Sequence, residues 1–127
     1  MMNVKFYVCP ICGNKVEMIH GSGVPVMCCG QKMVELVPNT VEASGEKHIP
    51  VASVDGDLVK VNVGSVDHPM ADVHYIEWVA LVTENGVQRK HLQPGEAPAV
   101  SFRLNGEKPV AVYAYCNLHG LWMSQLN

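Results

Sequence analysis

Four cysteines near the start of the chain constrain its fold more than any other feature. Cys9 and Cys12 form a Cys-x-x-Cys turn in which two sulfur atoms can bind one metal ion, and the adjacent pair Cys28 and Cys29 follows after fifteen intervening residues. Neighbouring side chains diverge on an extended backbone, so the backbone must bend for the second pair to reach the same metal. A segment under about 40 residues rarely folds without a bound metal or another cross-link. Residues 1–37 are therefore predicted to form a separate module around zinc or a single iron.

Composition excludes several classes of function. The chain has 127 residues, a hydrophobic content of 48% and a net charge of −3, which suits a globular protein and argues against nucleic acid or an anionic membrane as a partner. No stretch approaches the roughly 20 apolar residues of a membrane span, and the first residues lack the apolar core of a signal peptide. Five cysteines, an odd number, favour metal thiolates in a reducing compartment over a disulfide framework. We therefore expect a cytoplasmic protein.

Residues 38–127 are predicted to form a second, larger domain that begins at Pro38. Alternating apolar residues, β-branched side chains and two Asn-Gly turns, at Asn85-Gly86 and Asn105-Gly106, outweigh any helical periodicity. The pattern predicts a mainly β fold, an immunoglobulin-like antiparallel β-sandwich of about seven strands. The segments with strand character are 49–54, 58–63, 75–82, 87–92, 99–104 and 110–115.

A thiolate and four imidazoles in this domain indicate a second metal centre. Cys116 and His119 lie on the turn that leaves the last predicted strand, where the Cys-x-x-His spacing lets both residues reach one metal. His48, His68 and His74 lie in loops or at strand ends, and loops at one end of a sandwich meet in space although they are far apart in sequence. Five ligands leave one octahedral position open, and nitrogen donors with a single thiolate suit iron. The set therefore predicts a redox-active iron that can bind a small ligand.

Both parts of the chain resemble known iron proteins. Residues 1–37 resemble desulforedoxin, a small iron-tetrathiolate module with the same closing Cys-Cys pair. Later blocks are similar to the signature blocks of superoxide reductases, and the whole chain thereby resembles the desulfoferrodoxin family, the two-iron form. These blocks are Glu46-Lys47-His48-Ile49-Pro50, His68-Pro69-Met70 with His74-Tyr75-Ile76-Glu77-Trp78, and Cys116-Asn117-Leu118-His119-Gly120-Leu121-Trp122.

The resemblance implies two non-haem irons per chain and a defined reaction. A ferrous ion in a square pyramid of ligands would bind superoxide at the open position, reduce it by one electron and release hydrogen peroxide after uptake of two protons. An external donor such as rubredoxin, a small electron carrier, would return the iron to the ferrous state, and the chain would form a homodimer. The implied ligands are Cys9, Cys12, Cys28 and Cys29 for the first iron, and His48, His68, His74 and His119 with axial Cys116 for the second.

Two charged residues directly before the first histidine ligand are expected to act at the open position. Lys47 can place a positive charge there, which matters because a net charge of −3 repels an anionic substrate. The resemblance implies that Glu46 occupies the position once the iron is oxidised. The alternative for both residues is a solvated ion pair on a mobile loop.

Other classes of function remain open from the sequence. Cys116, His119 and Met123, with an upstream histidine, approximate a blue-copper electron-transfer site, although this interpretation leaves two histidines unused. A zinc-ribbon interaction module fused to a sandwich without catalysis is the third alternative, and the adjacent Cys28-Cys29 pair departs from ribbon spacing. Within the two-iron interpretation, the first iron either relays electrons or only holds the small domain and the dimer together.

Overall fold

The structure, a computed structural model, describes residues 4–126 and confirms the mainly β fold class. The chain separates into two compact units, the first ending at Val37 and the second continuing from Pro38. Within the described residues the only helix is α1, which spans Gly45–His48. No helix in this range is long and apolar enough to cross a membrane.

The first unit consists of five short strands and has little apolar interior. The strands are β1 (Lys5–Val8), β2 (Lys15–Met18), β3 (Met27–Cys28), β4 (Gln31–Lys32) and β5 (Val34–Glu35). One sheet has the order β2-β1-β5, and β3 pairs with β4. Among the described residues of this unit, the buried hydrophobic side chains are those of Phe6 and Cys9 alone. A core of this size does not stabilise a fold by itself.

The second unit is a sandwich of seven strands, which confirms the predicted architecture. The strands are β6 (Pro50–Asp55), β7 (Leu58–Val63), β8 (Ile76–Thr83), β9 (Val87–His91), β10 (Ala99–Arg103), β11 (Pro109–Cys116) and β12 (Gly120–Gln125). One sheet has the order β10-β7-β6 and the other the order β12-β11-β8-β9. Alternate residues Val59, Val61 and Val63 of β7 are buried in one core with residues from both sheets, because successive strand side chains point to opposite faces.

Two local features differ from the sequence-based expectation. The strand β12 was not among the predicted segments, although it pairs with β11 along its whole length. The Asn85-Gly86 turn closes the β8–β9 hairpin as predicted, but Asn105-Gly106 connects β10 of one sheet to β11 of the other. Positive φ angles of 53° at Asn105 and 80° at Gly106 form that turn. An Asn-Gly pair thus marks a tight turn without determining which strand follows it.

The strand register brings five chain segments together at one end of the sandwich. Pro50 pairs with Val63, and Cys116 pairs with both Ile76 and Gly120. The start of β6, the end of β7, the start of β8, the end of β11 and the start of β12 therefore share this end. The residues at or just beyond these strand ends are His48, His68, His74, Cys116 and His119.

Candidate metal centres

The four cysteines of the first unit converge as the sequence predicts. Their sulfur atoms all lie within 4.8 Å of one another, and those of Cys12 and Cys28 are 3.6 Å apart. Sulfur atoms bound to one tetrahedral metal at about 2.3 Å would be separated by about 3.8 Å. Gly13, at φ 79°, turns the backbone beneath the first pair, and its amide donates to the carbonyl of Cys9 at 3.0 Å. The cluster therefore has the dimensions of a tetrathiolate site.

The adjacent cysteines reach the cluster through a left-handed bend. Cys29 has φ 51° and Gly30 has φ 76°. A left-handed conformation costs a residue other than glycine roughly 1–2 kcal/mol. Binding of both sulfur atoms to one metal would offset that cost, which explains why the backbone bends here.

The protonation of these thiols indicates that they need a cation. The hydrogen bond from the backbone amide of Cys12 lowers the pKa of Cys9 to about 6, so this thiol ionises readily. The neighbouring sulfur of Cys12 raises the pKa of Cys29 to about 12, and that of Cys9 raises the pKa of Cys28. Further thiolates beside the first are unfavourable until a metal cation neutralises them. The four cysteines therefore fit a metal ion that is bound by four thiolates.

The second cluster brings together all five ligands predicted in the larger domain. Nε2 of His48 lies 3.1 Å from Nε2 of His68 and 3.1 Å from Nδ1 of His119. The sulfur of Cys116 is 3.9 Å from that same His119 nitrogen. Ligand atoms of His48, His68, His74 and Cys116 all lie within 4.8 Å of one another. Four imidazoles and one cysteine sulfur thus point at one small volume.

Backbone carbonyls select the tautomers of two histidines. Nδ1 of His48 donates to the carbonyl of Ser44 at 2.7 Å, and Nδ1 of His68 donates to the carbonyl of Pro69 at 2.7 Å. The Nε2 atoms therefore carry lone pairs directed into the cluster. Nε2 of His74 is buried and has no hydrogen-bond partner among the described residues. A buried polar atom without a partner costs about 1–3 kcal/mol, and a metal bound here would satisfy it.

Burial sets the protonation of the second cluster. Desolvation lowers the pKa of His48 and His74 and lowers that of His68 to about 4, so these three imidazoles stay neutral at pH 7. Desolvation also raises the pKa of Cys116, which therefore keeps its proton until a cation binds. Neutral imidazoles beside an ionisable thiol are the donor set of a metal centre, and these residues fit iron.

Trp122 supports two of the ligands, a role that sequence reasoning missed. Its ring is buried and stacks on His48 with centroids 4.9 Å apart and an interplanar angle of 28°. Its Nε1 donates to the carbonyl of His119 at 3.1 Å. The sequence offers one signal, since Trp122 lies within a block similar to superoxide reductases, but no spacing rule connects it to His48.

Glu46 and Lys47 lie in α1, not in an open loop, and both side chains are exposed. The carbonyl of Glu46 accepts hydrogen bonds from the amide of Val66 at 2.9 Å and from Oγ of Ser65 at 3.1 Å. Burial is the largest cause of the lowered pKa of His48, and the positive charge of Lys47 is a smaller cause that acts in the same direction. The field of Lys47 therefore reaches the cluster.

The register of β12 argues against the copper alternative. Met123 pairs with Tyr113, three positions along the ladder from the pair of Cys116 and Gly120. That offset corresponds to about 10 Å along a strand. A weak thioether ligand would have to approach the thiolate much more closely.

Comparisons with known proteins agree with this geometry. A family model described as Desulfoferrodoxin matches residues 40–125. A desulfoferrodoxin from Syntrophotalea carbinolica is 45% identical over 122 residues, covering 96% of each chain. The crystal structure of the superoxide reductase from Treponema pallidum is 40% identical, with a TM-score of 0.81 over 97% of this chain and 99% of that one. A one-iron superoxide reductase from Giardia intestinalis is 32% identical, with a TM-score of 0.54 over 65% of this chain and 98% of that one.

Proposed function

The chain belongs to the desulfoferrodoxin family, and from this premise we propose that it is a superoxide reductase, which reduces superoxide to hydrogen peroxide. The observation that carries the proposal is the convergence of four imidazoles and one cysteine sulfur at one end of the sandwich. With iron bound, this site would supply the single electron that the reduction consumes. The cluster's ligands would be His48, His68, His74, His119 and Cys116, and the second iron of the chain would be held by Cys9, Cys12, Cys28 and Cys29.

The stoichiometry of the reaction tests this proposal against dismutation. A reductase fed by an external donor forms one hydrogen peroxide for each superoxide and releases no oxygen, whereas a dismutase forms one of each from two superoxides. We expect the reduced protein, mixed with superoxide in the absence of air, to give a peroxide-to-superoxide ratio near one. Release of oxygen at a ratio near one half would contradict the proposed function.

The charge of Lys47 would attract superoxide to the centre. Its field at His48 supports this role, and the net charge of −3 makes a local positive charge necessary. We expect Lys47→Ala to lower the second-order rate constant by about two- to tenfold at low salt and to flatten its dependence on ionic strength. Lys108→Ala is the matched control, because it changes the net charge equally at an exposed position that precedes β11. Equal effects of the two variants would assign the loss to net charge alone.

Glu46 would close the open position after oxidation. Its carboxylate is exposed on α1, one residue from Lys47 and two from His48, and its backbone is held by residues 65 and 66. A carboxylate oxygen is a ligand that oxidised iron accepts. Glu46→Ala is therefore expected to change the absorption spectrum of the oxidised protein while leaving that of the reduced protein unchanged. Identical oxidised spectra would remove this role.

Rubredoxin, or a similar small electron carrier, is the proposed donor. Whether electrons pass through the four-cysteine iron is tested with Cys12→Ser, which removes one of its ligands. Normal turnover of this variant with rubredoxin would assign the first iron a purely structural role. Loss of turnover with rubredoxin, together with normal reduction of superoxide by chemically reduced protein, would assign it a relay role.

A cytoplasmic homodimer is the proposed form of the protein. Five free cysteines suit a reducing compartment. The first unit exposes apolar side chains that a second copy would cover, namely Ile11, Ile19, Val24, Met27, Val34 and Val37. Sedimentation equilibrium at micromolar concentration is expected to give twice the mass of the chain.

A further inference from the structure

We infer that Asn117 is a positioning residue that holds His74 against Cys116 in the histidine centre. The inference deepens the proposed function and rests on it, because the role is exercised toward the iron of that same site. Asn117 directly follows Cys116 and is partly buried. It lies 43 positions from His74 along the chain, so the link between the two ligands exists only in the folded unit.

The side-chain amide of Asn117 binds the backbone on both sides of His74. Its Nδ2 donates a hydrogen bond to the carbonyl of Val73 at 3.0 Å, and its Oδ1 accepts one from the amide of Tyr75 at 2.9 Å. The backbone amide of Asn117 also donates to the carbonyl of Tyr75 at 3.2 Å. Three hydrogen bonds therefore connect Asn117, which follows the ligand Cys116, to the two residues on either side of His74.

His74 depends on this support more than the buried residues His48 and His68 do. Backbone carbonyls accept hydrogen bonds from Nδ1 of His48 and Nδ1 of His68 and so orient both rings, whereas among the described residues neither ring nitrogen of His74 has such a carbonyl partner. The backbone of His74 exchanges two hydrogen bonds with Ala71, at 3.0 and 2.9 Å, which closes a tight turn. Asn117 anchors that turn to the end of β11. The position of the ring is thus set through its backbone.

Local sheet geometry explains why a side chain performs this task. The pairing of β11 with β8 shifts register between Tyr115 and Cys116, and β8 begins only at Ile76. Beyond that point a carboxamide, with one donor group and one acceptor group, takes the place of the next ladder pair. Asparagine supplies both groups on a short side chain. Leucine has a similar size and neither group, and aspartate keeps only the acceptor.

The test compares the Asn117→Leu variant with the unchanged chain by titrating both metal-free proteins with Co²⁺. We expect the affinity of the histidine centre to fall by about 10- to 100-fold, as for loss of other outer-sphere supports. The four-cysteine centre of the same molecule should keep its affinity, which makes it an internal reference. Hydrogen exchange at the Tyr75 amide should accelerate at least tenfold. The control Gln88→Leu removes an amide that donates to the carbonyl of Arg103 at 2.7 Å and should leave both centres unchanged.

Asn117→Asp keeps the inference testable if the leucine variant does not fold. It retains the acceptor for the Tyr75 amide and loses the donor to Val73, so we expect a smaller loss of Co²⁺ affinity with Tyr75 still protected. The added negative charge would by itself tighten cation binding, so weaker binding reports lost positioning. Affinity within about twofold of the unchanged chain in every folded variant would overturn the inference. Failure of the unchanged chain to bind Co²⁺ at the histidines would instead contradict the proposed function.

Discussion

The two centres obtain their geometry in opposite ways. In the first unit the ligands replace a core, since Cys9 is itself one of the two buried hydrophobic residues described there. In the second unit a core built from both sheets holds the ligands, and Cys116 is a member of that core. The comparison teaches two roles for a bound metal. Where its ligands form most of the buried core, the metal stabilises the fold; where a hydrophobic core forms without the metal, the metal's role is chemical.

Removal of both metals is the change with the largest expected effect, and it should unfold the first unit while the second unit stays folded. After a chelator has removed the metals, the amide NMR signals of residues 4–37 should have the chemical shifts of an unfolded chain, because few buried apolar groups remain to stabilise these residues. Signals from residues 38–126 should stay dispersed. Cys12→Ser should give the same pattern with the second centre still loaded. Joint unfolding of both units would contradict the comparison.

Loss of one ligand should empty the second centre without unfolding its unit. His119 is partly buried, and its Nδ1 contributes to the cluster. We expect His119→Gln to reduce iron at this centre from one per chain to nearly none, with little change in thermal unfolding of the iron-free protein. The control is His91→Gln on the exposed face of β9. Retention of full iron in the His119 variant would show that this histidine is not a ligand.

The packing beneath α1 can be disturbed by a single methyl group. A Cβ atom at Gly64 would lie 2.6 Å from the carbonyl oxygen of Glu46 and 2.9 Å from that of Ile49, so the backbone next to His48 would have to move. Gly64→Ala should destabilise the second unit by about 1–3 kcal/mol and weaken metal binding at the histidines. At Gly86 the nearest atom would be 3.7 Å away, so Gly86→Ala should leave metal binding intact. Denaturant titrations with and without metal measure both effects.

The smallest effect expected is a pH dependence confined to the metal-free second unit. Burial lowers the pKa of His48, His68 and His74 in the folded state, to about 4 for His68, so the unfolded chain binds more protons below about pH 6.5. Stability is therefore complete well above pH 6.5 and falls as the pH drops, by up to about 1.4 kcal/mol per pH unit for His68 between pH 6.5 and about 4, and His48 and His74 contribute with the same sign. Urea titrations of the metal-free protein between pH 7.5 and 5 check the slope. A flat profile would mean that these imidazoles are accessible to protons when folded.

The ligands were predictable from the sequence, whereas their supports were not. Cysteine and histidine at the ends of apolar runs indicate metal chemistry by residue type and spacing, as with Cys116 and His119. The sandwich followed from alternation, since one face of each strand must be buried. The support from Asn117 and the close approach of Gly64 arise where distant segments meet, and no local pattern encodes such contacts. The strand β12 was not predicted for the same reason, since these residues form a strand by pairing with β11.

Metal analysis of the chain purified without air tests the central claim most directly, because it counts both centres. The two-centre account predicts two irons per chain, one iron in Cys12→Ser and one iron in His119→Gln, with the remaining iron at the unaltered centre in each variant. A single iron in the unchanged chain, or copper in place of iron at the histidines, would contradict the account.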